Sequence, residues 1–149
     1  MRMRRLLPAF VAILMLAMAV VLPGQEGHAS EDERGTLFLN LTTDDPWTAD
    51  MALTYAGKVR SMGYPVVVFL NVKGVRLANK AGTQEPGQDG VPPRDKLIKL
   101  INDGATVHVC QMCTKAAGMS QTDWIEGTKP GNEETIRIQM GEHTKVISY

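Results

Sequence analysis

The sequence predicts an α/β domain built on a mostly parallel sheet. Three observations lead there. Apolar runs of strand length alternate with stretches of helical periodicity. The strongest run, PVVVFL at residues 65–70, is unbroken and β-branched, as a strand covered on both faces requires. Helix signals stand between the strands: Asp45 and Pro46 open one helix, and Gly63 and Gly104 each close one. Strand and helix in alternation is the pattern of parallel βαβ units.

The first strand is TLFLNL, residues 36–41. Asp45 supplies an N-cap and Pro46 the first helical position of the helix that follows. Within it Ala52, Tyr55, Ala56, Val59 and Met62 recur at helical spacing. The second strand is residues 65–70, after which residues 71–79 leave room for one short helical turn. Residues 80–93, KAGTQEPGQDGVPP, mix glycine, proline and polar side chains and are predicted as a loop. A connection that long in a compact domain is usually functional or disordered.

Leu97, Ile98, Leu100 and Ile101 mark a short helix over residues 94–102, and THV-type alternation at residues 106–109 (TVHV) gives a third strand. Ser120 and Asp123 resemble a capping box, predicting a short helical segment around Trp124. Residues 132–140 read as a further helix and residues 145–149 as a final strand. Right-handed crossovers align the C-terminal ends of parallel strands along one edge, where such folds gather ligands and reactive groups. Asp44 and Asp45 follow the first strand, Asn71 the second and Cys110 the third, and the 80–93 loop leaves from the same side.

The N-terminus has a different character. Arg2, Arg4 and Arg5 precede a nearly continuous apolar stretch from Leu6 to Leu22, and Gly27 and Ala29 place small residues around a cut before Ser30. This is the pattern of a secretory signal peptide over residues 1–29, with a single domain over residues 30–149 and a periplasmic or secreted location. Cleavage leaves no stable membrane anchor. The chain holds 16 basic and 16 acidic residues, a balance that gives no support to nucleic acid as a partner. Export would carry the only two cysteines, Cys110 and Cys113, into a compartment where a disulfide can persist. Two cysteines are too few for a disulfide scaffold, so an apolar core must hold the fold.

Those cysteines stand at the end of the third strand, in VHVCQMCTKAAGMS (residues 107–120), and admit four readings. Zinc needs about four ligands. Beyond the two thiols only His108 and His143 remain after residue 29, and His108 points away from Val107 and Val109 like a packed or edge histidine. A soft Cu(I) site would add Met112 and Met119, residues more often used as core filler. Neither metal is favoured. A thioredoxin-like dithiol or a structural disulfide is the third reading, although this pair lies late in the chain and Gly118 cuts its helix short. The fourth is a sulfur-accepting thiolate at Cys110, near the N–H groups of residues 111–114 and Lys115.

The stretch VHVCQMCTKAAGMSQTDWIEGTKPG, with a helix and KVISY after it, resembles the DsrE/DsrF-like sulfur-relay family. The resemblance extends to TLFLNLTTDDPW and VVVFLNVKGVRLA and so covers nearly the whole chain after the signal. It implies a flavodoxin-like, three-layer α/β/α fold and assembly into homotrimers or hexamers. It also implies a persulfide on Cys110, eight residues before Gly118, with Cys113 as resolving partner and Lys115 assisting electrostatically. Relatives place arginine before that glycine, where this chain has Ala117. The implied exchange partners are small sulfur compounds or a sulfur-carrier protein, with no cofactor and no metal. The rivals are a non-catalytic oligomeric binding module with a Cys110–Cys113 disulfide, and a thiol–disulfide oxidoreductase. Trp47, Val91, Trp124 and Ile125 are the large apolar residues expected to mark subunit contacts.

Overall fold

A computed structural model describes residues 34–149. The signal peptide expected over residues 1–29 lies outside the described residues. No helix among the described residues is long and apolar enough to cross a membrane.

Five parallel strands form one sheet: β1 (Thr36–Leu41), β2 (Val66–Leu70), β3 (Thr106–Val109), β4 (Thr128–Pro130) and β5 (Thr144–Ser148). Their order is β4-β3-β2-β1-β5. Among the described residues four α-helices accompany them: α1 (Pro46–Ser61), α2 (Pro93–Asn102), α3 (Gln111–Ala116) and α4 (Glu133–Gln139). The first three strands step in one direction across the sheet, so the right-handed crossovers through α1 and α2 lie on one face. The connection from β4 to β5 returns past the whole sheet. The same handedness sends α4 to the opposite face and completes the three-layer α/β/α architecture.

Register decides what each face buries. Leu37, Leu39 and Leu41 pair with Val66, Val68 and Leu70, and the last two pair with Val107 and Val109. This face meets Ala49, Ala52, Leu53 and Ala56 of α1 and Leu97 and Leu100 of α2, all buried. Small residues on α1 let that helix approach the sheet closely. The other face carries Phe38, Val67, Phe69 and His108, with the Phe38 and Phe69 rings 6.2 Å apart. There His108 is buried and its Nδ1 meets the Thr135 hydroxyl of α4. Burial lowers the imidazole pKa, keeping the ring neutral.

Three features differ from the sequence expectation. The short strand β4 was not anticipated; three residues ending in Pro130 are too few for a periodic signal. The segment expected to be helical around Trp124 is a 3₁₀ turn only over Gln121–Asp123, where the Ser120 N–H donates to the Asp123 carboxylate at 2.7 Å. Trp124 then bridges Asn79 in extended conformation, and the Ile125 N–H reaches the Ala78 carbonyl at 2.8 Å. Trp124 and Ile125 are consequently core residues, 7% and 6% exposed, and are withdrawn as subunit contacts. Trp47, at 64%, remains exposed, as does Val91.

The long loop after residue 79 is fixed by polar clamps rather than by regular structure. Arg94 Nη1 donates to the carbonyls of Asn79, Lys80 and Gly82, and Gln84 Nε2 to that of Leu77. Asp50, buried on α1, accepts the Gln88 N–H at 2.9 Å and pairs with Lys96 of α2, which also holds Asp89 of the loop at 2.8 Å. Gly87 packs so close that a Cβ there would lie 2.5 Å from the Asp50 carboxyl carbon. The hydrogen bond from Lys96 holds the Asp50 pKa below the ordinary carboxylate range, against the opposing effect of burial.

Asp50→Asn should therefore cost about 3 kcal/mol, because it leaves a mostly buried ammonium with one exposed partner. Urea denaturation checks it, and a change within experimental error would show the pair to be inconsequential. The sign of the pH effect follows from the depressed pKa. Asp50 contributes its stability above the unfolded value of about 3.9 and loses it as pH falls through the lower folded value. Wild type should lose more stability than Asp50→Asn across that acid range.

Candidate functional site

Each of the first three strands passes its ladder one residue onward. The carbonyl of Leu41, last in β1, accepts the Asn71 N–H at 3.1 Å; that of Leu70 accepts Cys110 at 2.9 Å; that of Val109 accepts Gly131 at 2.8 Å. The connections therefore leave the sheet from fixed points on one edge. Asp44, Asn71 and Cys110 are brought together there, as the topology predicts.

They do different work. Asp45 is a helix cap: its carboxylate accepts the Thr48 N–H at 2.8 Å and the Thr48 hydroxyl at 2.7 Å. Asp44 pairs with Arg76 at 3.0 Å. The Asn71 amide donates to Asn40 at 2.6 Å, and Asn40 in turn donates to Ser148 at 3.2 Å, tying three strand ends together. The crevice between β1 and β5, where the strand order reverses, is closed by backbone: Thr42 donates its N–H and its hydroxyl to the Tyr149 carbonyl.

Cys110 is the N-cap of α3. Its Sγ accepts the Cys113 N–H at 3.3 Å, and its carbonyl accepts both the N–H and the hydroxyl of buried Thr114, at 2.9 and 2.8 Å. The helix ends after six residues at Ala117, because Gly118 takes φ +72°. Both cysteines are free thiols, each partly buried. Burial pushes the Cys113 pKa up, and the neighbouring Cys110 pushes the same way, against a smaller opposing effect of the Val72 backbone. The pair is thus asymmetric: Cys113 holds its proton, while Cys110 receives a backbone donor.

Val72 begins a 3₁₀ helix (Val72–Ala78) that crosses from the end of β2 to the cysteines. Its φ is +48°, an unfavourable conformation for a β-branched side chain. Gly74 permits the crossing, since a Cβ there would stand 2.2 Å from the Leu41 carbonyl oxygen. Val72, Lys73 and Arg76 line a cavity of about 310 Å³ together with Cys113, Ala116 and Ala117. A neighbouring cavity of about 330 Å³ shares Arg76 and Ala117, and its far wall includes Gly82, Thr83, Gln84 and Glu85 of the long loop. The loop does flank the site, as its exit side suggested.

Lys115, expected to assist Cys110, lies on the same short helix as the two thiols. It sits exposed in the last turn of α3 and lines neither cavity. The cations lining the cavity at Cys113 are Lys73 and Arg76, which sequence reasoning passed over. A basic pair three apart on a short turn after a buried strand was the available signal, because i and i+3 side chains eclipse on a 3₁₀ helix. The sulfurs considered for a soft metal are spread out: Met112 is 82% exposed, and Met119 lines the second cavity rather than the one at Cys113. His108 faces the opposite side of the sheet.

Comparison with known proteins agrees with this architecture. The chain is 33% identical to the uncharacterized protein MJ0989 of Methanocaldococcus jannaschii over 116 residues, 75% of this chain and 98% of the relative. It is 39% identical to the uncharacterized protein MK0008 of Methanopyrus kandleri over 99 residues, 66% of this chain and 78% of the relative. Among solved structures, the ychN protein of E. coli superposes with a TM-score of 0.66 at 18% identity, over 78% of this chain and 99% of that one. MTH1491 of Methanobacterium thermoautotrophicum gives 0.57 at 16% identity, over 77% and 99%. These two establish the fold. Residues 37–149 match the DsrE/DsrF-like family, and with that match over most of its length the chain belongs to the DsrE/DsrF-like family.

Proposed function

We propose that this chain carries sulfane sulfur as a persulfide on Cys110, with Cys113 as its resolving partner. The observation that supports this most directly is the asymmetry of the two thiols. Cys110 Sγ accepts a backbone N–H at the start of α3, while burial raises the Cys113 pKa. In the loading step the Cys110 thiolate attacks a sulfane sulfur. One S–S bond forms at Cys110, the donor's S–S bond breaks, and its electron pair leaves with the donor anion. The sulfur then passes to an acceptor thiolate. Alternatively, Cys113 attacks Cys110, closing a disulfide and expelling hydrosulfide; a thiol reductant reopens the pair.

Mass spectrometry of the reduced protein after treatment with a sulfane donor should find about 32 Da added to the Cys110 peptide. Cys110→Ser should abolish the adduct and Cys113→Ser should prolong it. A structural disulfide would instead cost both single variants a few kcal/mol at most, with no adduct in either. A thiol–disulfide oxidoreductase would reduce insulin-type disulfides without a stable adduct.

Self-association is part of the same reading. Trp47, Met51 and Tyr55 of α1, with Met62 at its C-cap, are exposed, an apolar stripe that a monomer would leave in water. Light scattering should give a trimer or hexamer at tens of micromolar, and Trp47→Glu with Met51→Glu should dissociate it. A wild-type monomer would exclude this assembly. Export is tested by N-terminal sequencing of protein made in a Gram-negative host. The extracytoplasmic form should begin at Ser30 or within a residue or two of it, and full-length soluble cytoplasmic protein would refute the signal.

A further inference from the structure

The cavity beside Cys113 contains a set of residues with no part in the chemistry so far. Of its six lining residues two are basic and none is acidic. Lys73 and Arg76 share one face of the 3₁₀ helix, so both cations border the same opening. Among the described residues no carboxylate pairs with Lys73. Arg76 has Asp44 on Nη1, but a guanidinium carries five N–H donors, and one contact leaves most of them for another acceptor. Ala116 and Ala117 add little bulk. The turn that delivers these cations is the strained one at Val72, which lines the same cavity. Strain of this kind persists only where the surroundings enforce it, and it concentrates at working sites.

Two cations around a small cavity that ends on Cys113, whose backbone N lies 3.3 Å from the Cys110 sulfur, are suited to a small anion whose reactive atom is sulfur. We propose that Lys73 and Arg76 form an anion subsite that binds the oxyanion end of the sulfur donor, a small oxyanion bearing a terminal sulfane sulfur. The identity of the ligand as a donor rests on the sulfur-acceptor reading above. Cys110 loses its proton to solvent and attacks the terminal sulfur; the persulfide S–S bond forms and the donor's S–S bond breaks. The electron pair departs with the sulfite-like oxyanion, whose growing charge the two cations stabilise. No oxidant or reductant is consumed.

Binding can be read without the chemistry. Thiosulfate titrated into the Cys110→Ser/Cys113→Ser protein should give saturable NMR shifts at the Val72, Lys73 and Ala117 amides. Adding Lys73→Gln and Arg76→Gln should weaken binding about tenfold or more. Asp44→Asn should tighten it, by releasing Arg76 from its carboxylate. Shifts that never saturate, or an affinity indifferent to the loss of both cations, overturn the subsite. With both cysteines present, Lys73→Gln/Arg76→Gln should slow adduct formation from thiosulfate about tenfold, through KM. The rate from an uncharged organic trisulfide should be unchanged, and equal losses with both donors would overturn the proposal. Charge-dependent thiosulfate binding with no adduct from either donor would leave the anion subsite standing and defeat the sulfur-acceptor reading instead.

Discussion

Parallel hydrogen bonding between β1, β2 and β3, in register from Leu37–Val66 through Leu70–Val109, sets the ends of three strands on one line. Because each terminal carbonyl also holds the first N–H of a neighbouring connection, the turns at Asn71, Cys110 and Gly131 are extensions of the sheet rather than free loops. The precision of the site depends on this. A thiol on a mobile loop could not keep a backbone donor on its sulfur, whereas Cys110 is anchored to β2 on one side and capped onto α3 on the other.

The same sheet explains why the two faces are built so differently. The face under α1 and α2 is aliphatic across β1, β2 and β3, and burial of that apolar area is the main source of stability. The opposite face is crossed by one short helix and admits His108, tethered through Thr135 to α4. A neutral, buried imidazole is tolerable there because one ring nitrogen is satisfied and its charged form is suppressed. That histidine lies two residues from Cys110 in sequence and on the other side of the sheet in space, since side chains alternate along a strand.

At the site, local backbone geometry and charge act together. The left-handed Val72 and the side-chain-free Gly74 allow a 3₁₀ turn to pass beneath the end of β1 and bring two cations to the cavity at Cys113. Both cations that line the cavity at Cys113 come from this turn; the helix that carries the thiols contributes Ala116 and Ala117 to the same lining. The long loop completes the surroundings from the other side. Asp50, Lys96 and Arg94 hold it, so a segment rich in glycine and proline becomes a fixed wall.

How much of this was legible follows from range. The sequence by itself determined the α/β class, the strands 36–41, 65–70 and 106–109, the cap at Asp45, and Cys110 at a strand end, because periodicity and capping are local and each residue reports its own neighbourhood. It also carried the family, through motifs spread along most of the chain. Tertiary structure alone decided which residues of distant segments meet. β4 is too short for a pattern and exists because β3 offers it an edge. Trp124 is extended and buried because Ala78 and Asn79 pair with its segment. Lys73 and Arg76 border the cavity at Cys113 because the 3₁₀ turn is steered by a close approach to Leu41. Such contacts join residues tens of positions apart, and their partners are fixed only when the sheet is assembled.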